Sequence, residues 1–175
     1  KKMISMDLKE IDNLVLIIGK TEGHIDQSLF ARTILDEKNG PPPEVNLFNE
    51  KNNGESILNL IDKGYVKSAH DISLGGLLVA ISKMCIKGNK GIKINKSKNL
   101  INEIEYFFAE DQGRYLIEVN KENLKEVTKI LNKNSVHHEE LGIIIQNDMI
   151  INEKTKVTID ELKSYYTNWL SKYMS

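Results

Sequence analysis

Cysteine is nearly absent. Cys85 is the single one in 175 residues, so no internal disulfide can form and a reducing cytoplasm is the expected setting. Proline is as scarce, with all three residues in the run Pro41-Pro42-Pro43. Long apolar runs are missing too. Stretches such as Leu14–Ile18 and Ile143–Ile145 fall far short of the ~20 residues that span a bilayer, so no membrane association is expected. Neither sign of charge dominates: 24 Lys and Arg stand against 25 Asp and Glu, for a net charge of −1. That balance gives no reason to expect nucleic acid or an anionic surface as partner. Lys1-Lys2 is not followed by an apolar segment with a small-residue cleavage site, so no secretory signal is read. CxxC, HExxH and a Ser-His-Asp signature are all lacking.

What is present suits a single folded domain. The chain is 40% hydrophobic and 28% charged, and a chain of this length buries roughly 70% of its unfolded surface without a metal or disulfide staple. Disorder, collagen and coiled coil are excluded. Position 1 is not Met and the first apolar run arrives at Leu14, as expected of a segment cut from a longer polypeptide. Residues 1–12 are expected to be a leader or linker, and residues 13–175 the domain.

Continuous apolarity makes Asn13–Gly19 a buried strand. Gln27–Leu35 reads as a helix with Leu29, Phe30, Thr33 and Ile34 on one face, and Asn39-Gly40 with the prolines stops it in a stiff loop. Val45–Ile61 is helical in pattern, with an interruption expected at Asn52-Asn53-Gly54. Val66–Ile72 reads as a strand, and Ser73 as cap of a helix whose core stripe is Leu74, Leu77, Leu78, Ile81, Met84 and Cys85. On that stripe Cys85 is inert packing. Gly91–Asn95 is a strand, Leu100–Phe108 a short helix, Arg114–Val119 a strand and Lys121–Leu131 an amphipathic helix. Val136–Ile145 and Met149–Ile151 read as a hairpin about Asn147-Asp148, and Thr158 or Asp160 caps a last helix. The pattern predicts an α+β fold, a mixed sheet with helices on its faces. Arg114–Ile145 has the rhythm of a ferredoxin-like half.

Two segments concentrate polar chemistry. In Ala69-His70-Asp71-Ile72-Ser73-Leu74-Gly75-Gly76-Leu77 a strand delivers a polar pair to a helix start. Free N–H groups and glycines there suit a phosphate, and Asp71 suits Mg²⁺. Alternatively, Ser73 caps the helix and the glycines allow close packing. In Phe107-Phe108-Ala109-Glu110-Asp111-Gln112-Gly113-Arg114 two carboxylates, an amide and a guanidinium follow an aromatic anchor. These groups suit a metal, a hydroxyl or a phosphate; the alternative is a polar turn in which Arg114 pairs with Glu110. With both faces of the Arg114 strand apolar, the charged cluster is expected outside the layers, at the start of the strand. Antiparallel neighbouring of the Val66 and Arg114 strands would bring the two clusters to one edge as a shared cleft; parallel strands would separate them by roughly 17–20 Å. Weaker candidates are the polar loop Lys20-Thr21-Glu22-Gly23-His24, which lacks Walker spacing, and His137-His138-Glu139-Glu140, read as solvated surface because adjacent strand residues face opposite ways.

Leu16–His24 resembles the opening of the last domain of the phosphoribosylformylglycinamidine synthase II family. Gln27-Ser28-Leu29, Gly40-Pro41-Pro42-Pro43-Glu44-Val45, both polar segments and the tail Trp169-Leu170-Ser171-Lys172-Tyr173-Met174 continue the likeness, in register from about Asn13 to Met174. His70–Leu77 alone would indicate only the wider aminoimidazole-ribonucleotide-synthetase-like superfamily. The resemblance implies an α/β/α layered domain, like the C-terminal domain of PurM, with partly ferredoxin-like topology. It implies part of a cytoplasmic ligase that converts formylglycinamide ribonucleotide to the amidine with ATP, Mg²⁺ and glutamine-derived ammonia. The family synthetase holds two N-and-C domain units, and this chain resembles the second C domain. Its implied partners are the N-terminal domains, a glutaminase subunit and a small accessory subunit. The catalytic groups lie in an N domain, so none is expected here. His70, Ser73, Gly75, Gly76, Glu110, Asp111, Gln112 and Arg114 are expected to face substrate or nucleotide, and Asp71 a metal. Two departures stand out. Leu74 replaces the Asp of the family's Asp-Ile-Ser-Asp-Gly-Gly, and Glu110-Asp111-Gln112 replaces the first copy's Glu-Ser-Gln. An added carboxylate repels phosphate unless compensated, so an auxiliary nucleotide site is expected. Aminoimidazole ribonucleotide synthetase and a free-standing binding module are the alternatives.

Overall fold

Strand β1 (Leu14–Ile18) is buried along its whole length because it lies inside the sheet, with antiparallel β4 (Arg114–Val119) on one side and antiparallel β5 (His138–Ile145) on the other. The computed structural model describes residues 2–95 and 102–174. Within them one sheet runs β2-β4-β1-β5-β3-β6-β7, where β2 is Val66–Ile72, β3 Gly91–Ile94, β6 Met149–Ile151 and β7 Thr155–Val157. The helices are α1 (Leu29–Ile34), α2 (Leu47–Asp62), α3 (Gly76–Gly88), α4 (Glu103–Phe108), α5 (Leu124–Lys133) and α6 (Ile159–Met174). No helix among the described residues is long and apolar enough to cross a membrane. The expected helix start at Leu100 lies outside the described residues.

Alternation along the central strands builds two cores. Val15, Ile17 and Leu116 meet Leu77, Ile81 and Met84 of α3 on one face. Leu16, Ile18, Ile117 and Val119 meet Ile57, Leu60 and Ile61 of α2 with Val127 and Leu131 of α5 on the other. Each such side chain contributes about 1.5–3 kcal/mol by leaving water. Cys85 lies in the first core, where burial pushes its thiol up to about 12, in keeping with inert packing. β1, α2, β2, β4, α5 and β5 form a ferredoxin-like unit in the sheet order β5-β1-β4-β2, while α3, β3 and α4 are inserted between β2 and β4. The α+β expectation, with a layered mixed sheet, holds.

Several local expectations give way to tertiary contacts. α2 runs unbroken through Asn52-Asn53-Gly54. Asn52 Nδ2 donates to the Asn134 carbonyl at 2.6 Å and Asn53 Nδ2 to that of Gly113 at 2.9 Å, so these amides anchor the helix rather than break it. α1 is short and buries only Ala31, leaving Ile34 and Leu35 exposed. Leu74 precedes α3 and is exposed, so it is not on the core stripe. Met149–Ile151 does not pair with Val136–Ile145 as a hairpin. β3 lies between them, and β6 pairs parallel with β3 and antiparallel with β7. The Asn147-Asp148 turn carries the chain past Gly91, where the Ile92 N–H donates to the Asp148 carbonyl at 3.0 Å. Thr158 caps α6, accepting from the Glu161 N–H at 3.1 Å.

Residues ahead of β1 lie against the domain. Leu8 is buried, its N–H donating to the Met84 carbonyl at 3.4 Å. Glu118, fully buried on β4, anchors this segment. Its carboxylate accepts from the Lys9 N–H, the Glu10 N–H, Asn13 Nδ2 and Ser68 Oγ at 2.7–3.0 Å. A carboxamide supplies one acceptor oxygen where these four donors need two. Glu118→Gln is therefore expected to lower stability by about 2–4 kcal/mol in urea unfolding, with faster amide exchange at Lys9 and Glu10.

Candidate functional site

Three chain segments gather at one end of the sheet because of strand register. β2 and β4 are antiparallel neighbours with Ile72 opposite Arg114, and Ile18 at the end of β1 stands opposite Tyr115. The turn after β2, the loop after β1 and the turn before β4 thus share an edge. Of the two arrangements left open by the sequence, the antiparallel one is present, and the two polar clusters meet there.

What they do there differs from expectation. Arg114 is 1% exposed. Its Nη2 donates to the Ala109 carbonyl at 2.6 Å, Nη1 to Thr21 Oγ1 at 3.1 Å and Nε to the Asp111 carbonyl at 3.3 Å. Burial pushes the guanidinium below its ordinary value, and the Asp111 carboxylate 3.8 Å away opposes that shift. Asp111 is buried as well. It accepts from three successive backbone N–H groups, with Oδ2 taking Glu22 and Gly23 at 3.0 and 3.1 Å and Oδ1 taking His24 at 3.0 Å. The cluster does begin the strand at the sheet edge, but Arg114 and Asp111 are buried there, their charges compensated by hydrogen bonds, while Glu110 is half-buried and Gln112 exposed. Arg114 pairs with Asp111, not with Glu110.

Glu110 fills the place foreseen for a phosphate. One oxygen, Oε1, accepts from the Leu29 N–H at 2.7 Å and from the Gly75 N–H at 2.8 Å, so the donors at the starts of α1 and α3 converge on an internal carboxylate. Ser73 is exposed and gives no side-chain cap; Gly75 is the cap residue, at φ 88°. A Cβ on Gly76, at φ 71°, would stand 2.7 Å from the Ala109 carbonyl oxygen. The glycine pair serves backbone conformation and packing. Asp71 is exposed and lies 3.2 Å from His70 Nδ1; among the described residues no three His, Cys, Asp or Glu side chains gather to hold a metal ion.

Beside this framework opens a polar cleft of about 650 Å³. Its walls are the loop after β1 with Lys20, Glu22 and His24, the proline loop with Pro43 and Glu44, and the start of α2 with Asn46, Asn49 and Glu50. Gln112, Ser135 and His137 complete it. Of the residues expected to face substrate or nucleotide only Asp111 and Gln112 line it, and His70, Ser73, Gly75 and Gly76 do not. Gln112 alone of the two is exposed. The asparagines of α2 were missed, and His137 was read as solvated surface. The polar loop Lys20–His24 was the available signal, undervalued because it lacks a nucleotide-loop spacing. Lys20 is paired with Glu22 at 2.9 Å, so acidic groups predominate at the rim.

Gly76→Ala is expected to cost at least about 1–3 kcal/mol in urea unfolding, from backbone strain alone. His70 supplies a pH test. Burial lowers its pKa from the ordinary 6.5, against the opposing pull of Asp71, so near pH 6 the unfolded chain binds this proton more readily than the folded one. Stability from this group is complete above pH 6.5 and falls as the pH drops below it. His70→Gln is therefore expected to shrink the loss of urea midpoint between pH 7.5 and pH 5.5.

Comparison with known proteins now gives the site a context. Residues 10–152 match the family described as AIR synthase related protein, C-terminal domain. The phosphoribosylformylglycinamidine synthase subunit PurL of Pelagibacter ubique is 64% identical over 174 residues, covering 99% of this chain and 24% of that protein. PurL of Bartonella henselae is 35% identical over 173 residues, 99% of this chain and 23% of that protein. The chain thus spans about a quarter of the length of the curated relatives it matches. Thermotoga maritima PurL complexed with FGAR shares the fold at TM-score 0.73 and 20% identity, over 91% of this chain and 29% of that one. The PurLQS structure from the same organism gives 0.67 at 20% identity, over 91% and 27%. A continuous family match over residues 10–152, on the layered sheet that the family resemblance implied, shows that this chain belongs to the AIR synthase related proteins as their C-terminal domain.

Proposed function

We propose that this chain is the second C-terminal domain of a formylglycinamidine ribonucleotide synthase, forming one wall of a ligand-bearing cleft and carrying no catalytic group. The 64% identity to a PurL subunit across 174 residues carries this reading. In the proposed reaction ATP phosphorylates the amide oxygen of formylglycinamide ribonucleotide, and ammonia derived from glutamine displaces the phosphate. Such steps need cationic or metal-borne stabilisation of phosphoryl charge. Here Arg114 is buried and spent on carbonyl oxygens, and Lys20 is engaged by Glu22. That stabilisation, and the Mg²⁺ that accompanies ATP, fall to the N-terminal domains.

The complexes of T. maritima PurL with ATP and with ADP support nucleotide binding by the whole synthase. The PurLQS assembly supports partner subunits, which we read as the glutaminase and the small accessory subunit. We read residues 1–12 as a linker, of which Lys9 and Glu10 are pinned to the domain by Glu118. Among the sequence candidates Gln112 is the residue we assign to face ligand; Glu110, Asp111 and Arg114 shape the wall behind it. The acidic rim suits an auxiliary role better than direct phosphate capture.

A domain exchange tests the reading. This chain, substituted for the corresponding 174 residues of the P. ubique subunit, is expected to sustain amidine formation within about tenfold of the parent, a cost of 1.4 kcal/mol or less in barrier. A folded chimera without activity would sink the proposal. The 175-residue chain alone, given substrate, ATP, Mg²⁺ and ammonia, is expected to form no product.

A further inference from the structure

The cleft has two walls that are far apart in sequence, and one hydrogen-bonded relay joins them. Asp111 receives the backbone N–H groups of Glu22, Gly23 and His24 at 3.0–3.1 Å. Three consecutive donors on one carboxylate leave the loop after β1 little freedom, and the buried Arg114 holds that carboxylate from behind. The loop then reaches across. His24 Nε2 lies 2.9 Å from the Pro41 carbonyl oxygen, in the exposed strap between α1 and α2. A carbonyl only accepts, so the nitrogen facing it bears the proton. Pro43 and Glu44 of the same strap line the cleft opposite Lys20 and Glu22.

We infer that Asp111 is a positioning residue for the cleft, fixing the backbone of His24 so that its imidazole latches the proline strap at Pro41. The purpose of this relay rests on the proposed ligand-bearing role of the cleft; the coupling itself rests on geometry. Gln27 makes a second attachment, its Nε2 donating to the Lys38 and Gly40 carbonyls at 2.7 and 3.2 Å. Loss of the His24 latch therefore loosens the strap without detaching it. Asp111 touches no ligand in this scheme. It acts through His24, which explains why a carboxylate is tolerated where phosphate repulsion was expected: its charge is consumed by backbone N–H groups and Arg114 before it reaches the cleft.

The test uses the chain without ligand. Trypsin cleavage after the exposed Lys38 reports strap opening, and long-range ¹H–¹⁵N spectra report whether His24 keeps its proton on Nε2. Asp111→Asn removes one acceptor. Asp111→Glu keeps the charge beside Arg114 but displaces the carboxylate by a methylene. His24→Ala removes the latch, and His24→Gln retains an N–H near the Nε2 position. Both Asp111 variants and His24→Ala are expected to speed cleavage at Lys38 by about fivefold or more through local opening. The Asp111 variants also lose the single His24 tautomer, and His24→Gln cleaves near the parent rate. The double variant Asp111→Asn/His24→Ala is expected to cleave no faster than the faster single variant. If Asp111→Asn does not fold, Asp111→Glu carries the comparison. A folded Asp111 variant with parent-like cleavage and tautomer overturns the relay, as does parent-like cleavage in His24→Ala. In the domain-exchange enzyme, Asp111→Glu is expected to raise KM while kcat stays within a few-fold. A released strap with unchanged KM would overturn the ligand-bearing role of the cleft and leave the relay standing.

Discussion

The end of the sheet that forms the cleft depends on one requirement: a guanidinium buried at the start of β4 must be satisfied without water. Arg114 meets it with carbonyls of its own turn and with Thr21, and the Asp111 carboxylate 3.8 Å away, with Glu139 farther off, balances its charge. An ionised pair out of water is costly unless its remaining lone pairs are also used. Asp111 therefore draws in three backbone donors of the loop after β1. Glu110 repeats the solution one residue earlier, joining the starts of α1 and α3. The cleft wall is a consequence of how these charges are settled.

β1 was legible because burial wrote it in continuous apolar letters, and the other long strands from shorter apolar stretches bounded by turns. β2 and β4 run from Val66 to Ile72 and from Arg114 to Val119, as the sequence pattern predicts. The ferredoxin-like phrase followed from Arg114–Ile145. The site was far less legible. Glu110 and Asp111 look alike in a sequence whether they greet a ligand or the chain's own amides, and their partners lie 35 to 89 residues upstream. Backbone donors carry no residue signature at all. The same blindness explains β6. Met149–Ile151 reads equally well as the partner of any neighbouring strand, and the close approach of Gly91 to the Asp148 carbonyl decides in favour of β3.

The family resemblance was right about the fold. Helix-start chemistry suggested an anion at the glycine pair, and the carboxylate of Glu110 accepts from the Gly75 N–H there. Leu74 is exposed on the outer side of the turn after β2, and the Glu110 carboxylate stands on its inner side. The helix-start donors that favour negative charge are satisfied from within.

An internal anion and an external one compete for the same few N–H groups, and here the Leu29 and Gly75 N–H groups are taken by Glu110. The cleft of about 650 Å³ is lined at this edge mostly by amides and acids, Asn46, Asn49, Gln112, Glu22, Glu44 and Glu50, with Lys20 paired to Glu22 and His137 exposed beside them. Amides recognise by hydrogen-bond direction rather than by charge, and acids exclude an unaccompanied anion. Val45, Leu47 and Phe48, exposed beside the same rim, add apolar surface where the cleft opens outward. A wall so composed selects by shape and by the cations a ligand brings with it, and it is this division that makes the proposed auxiliary role physically coherent.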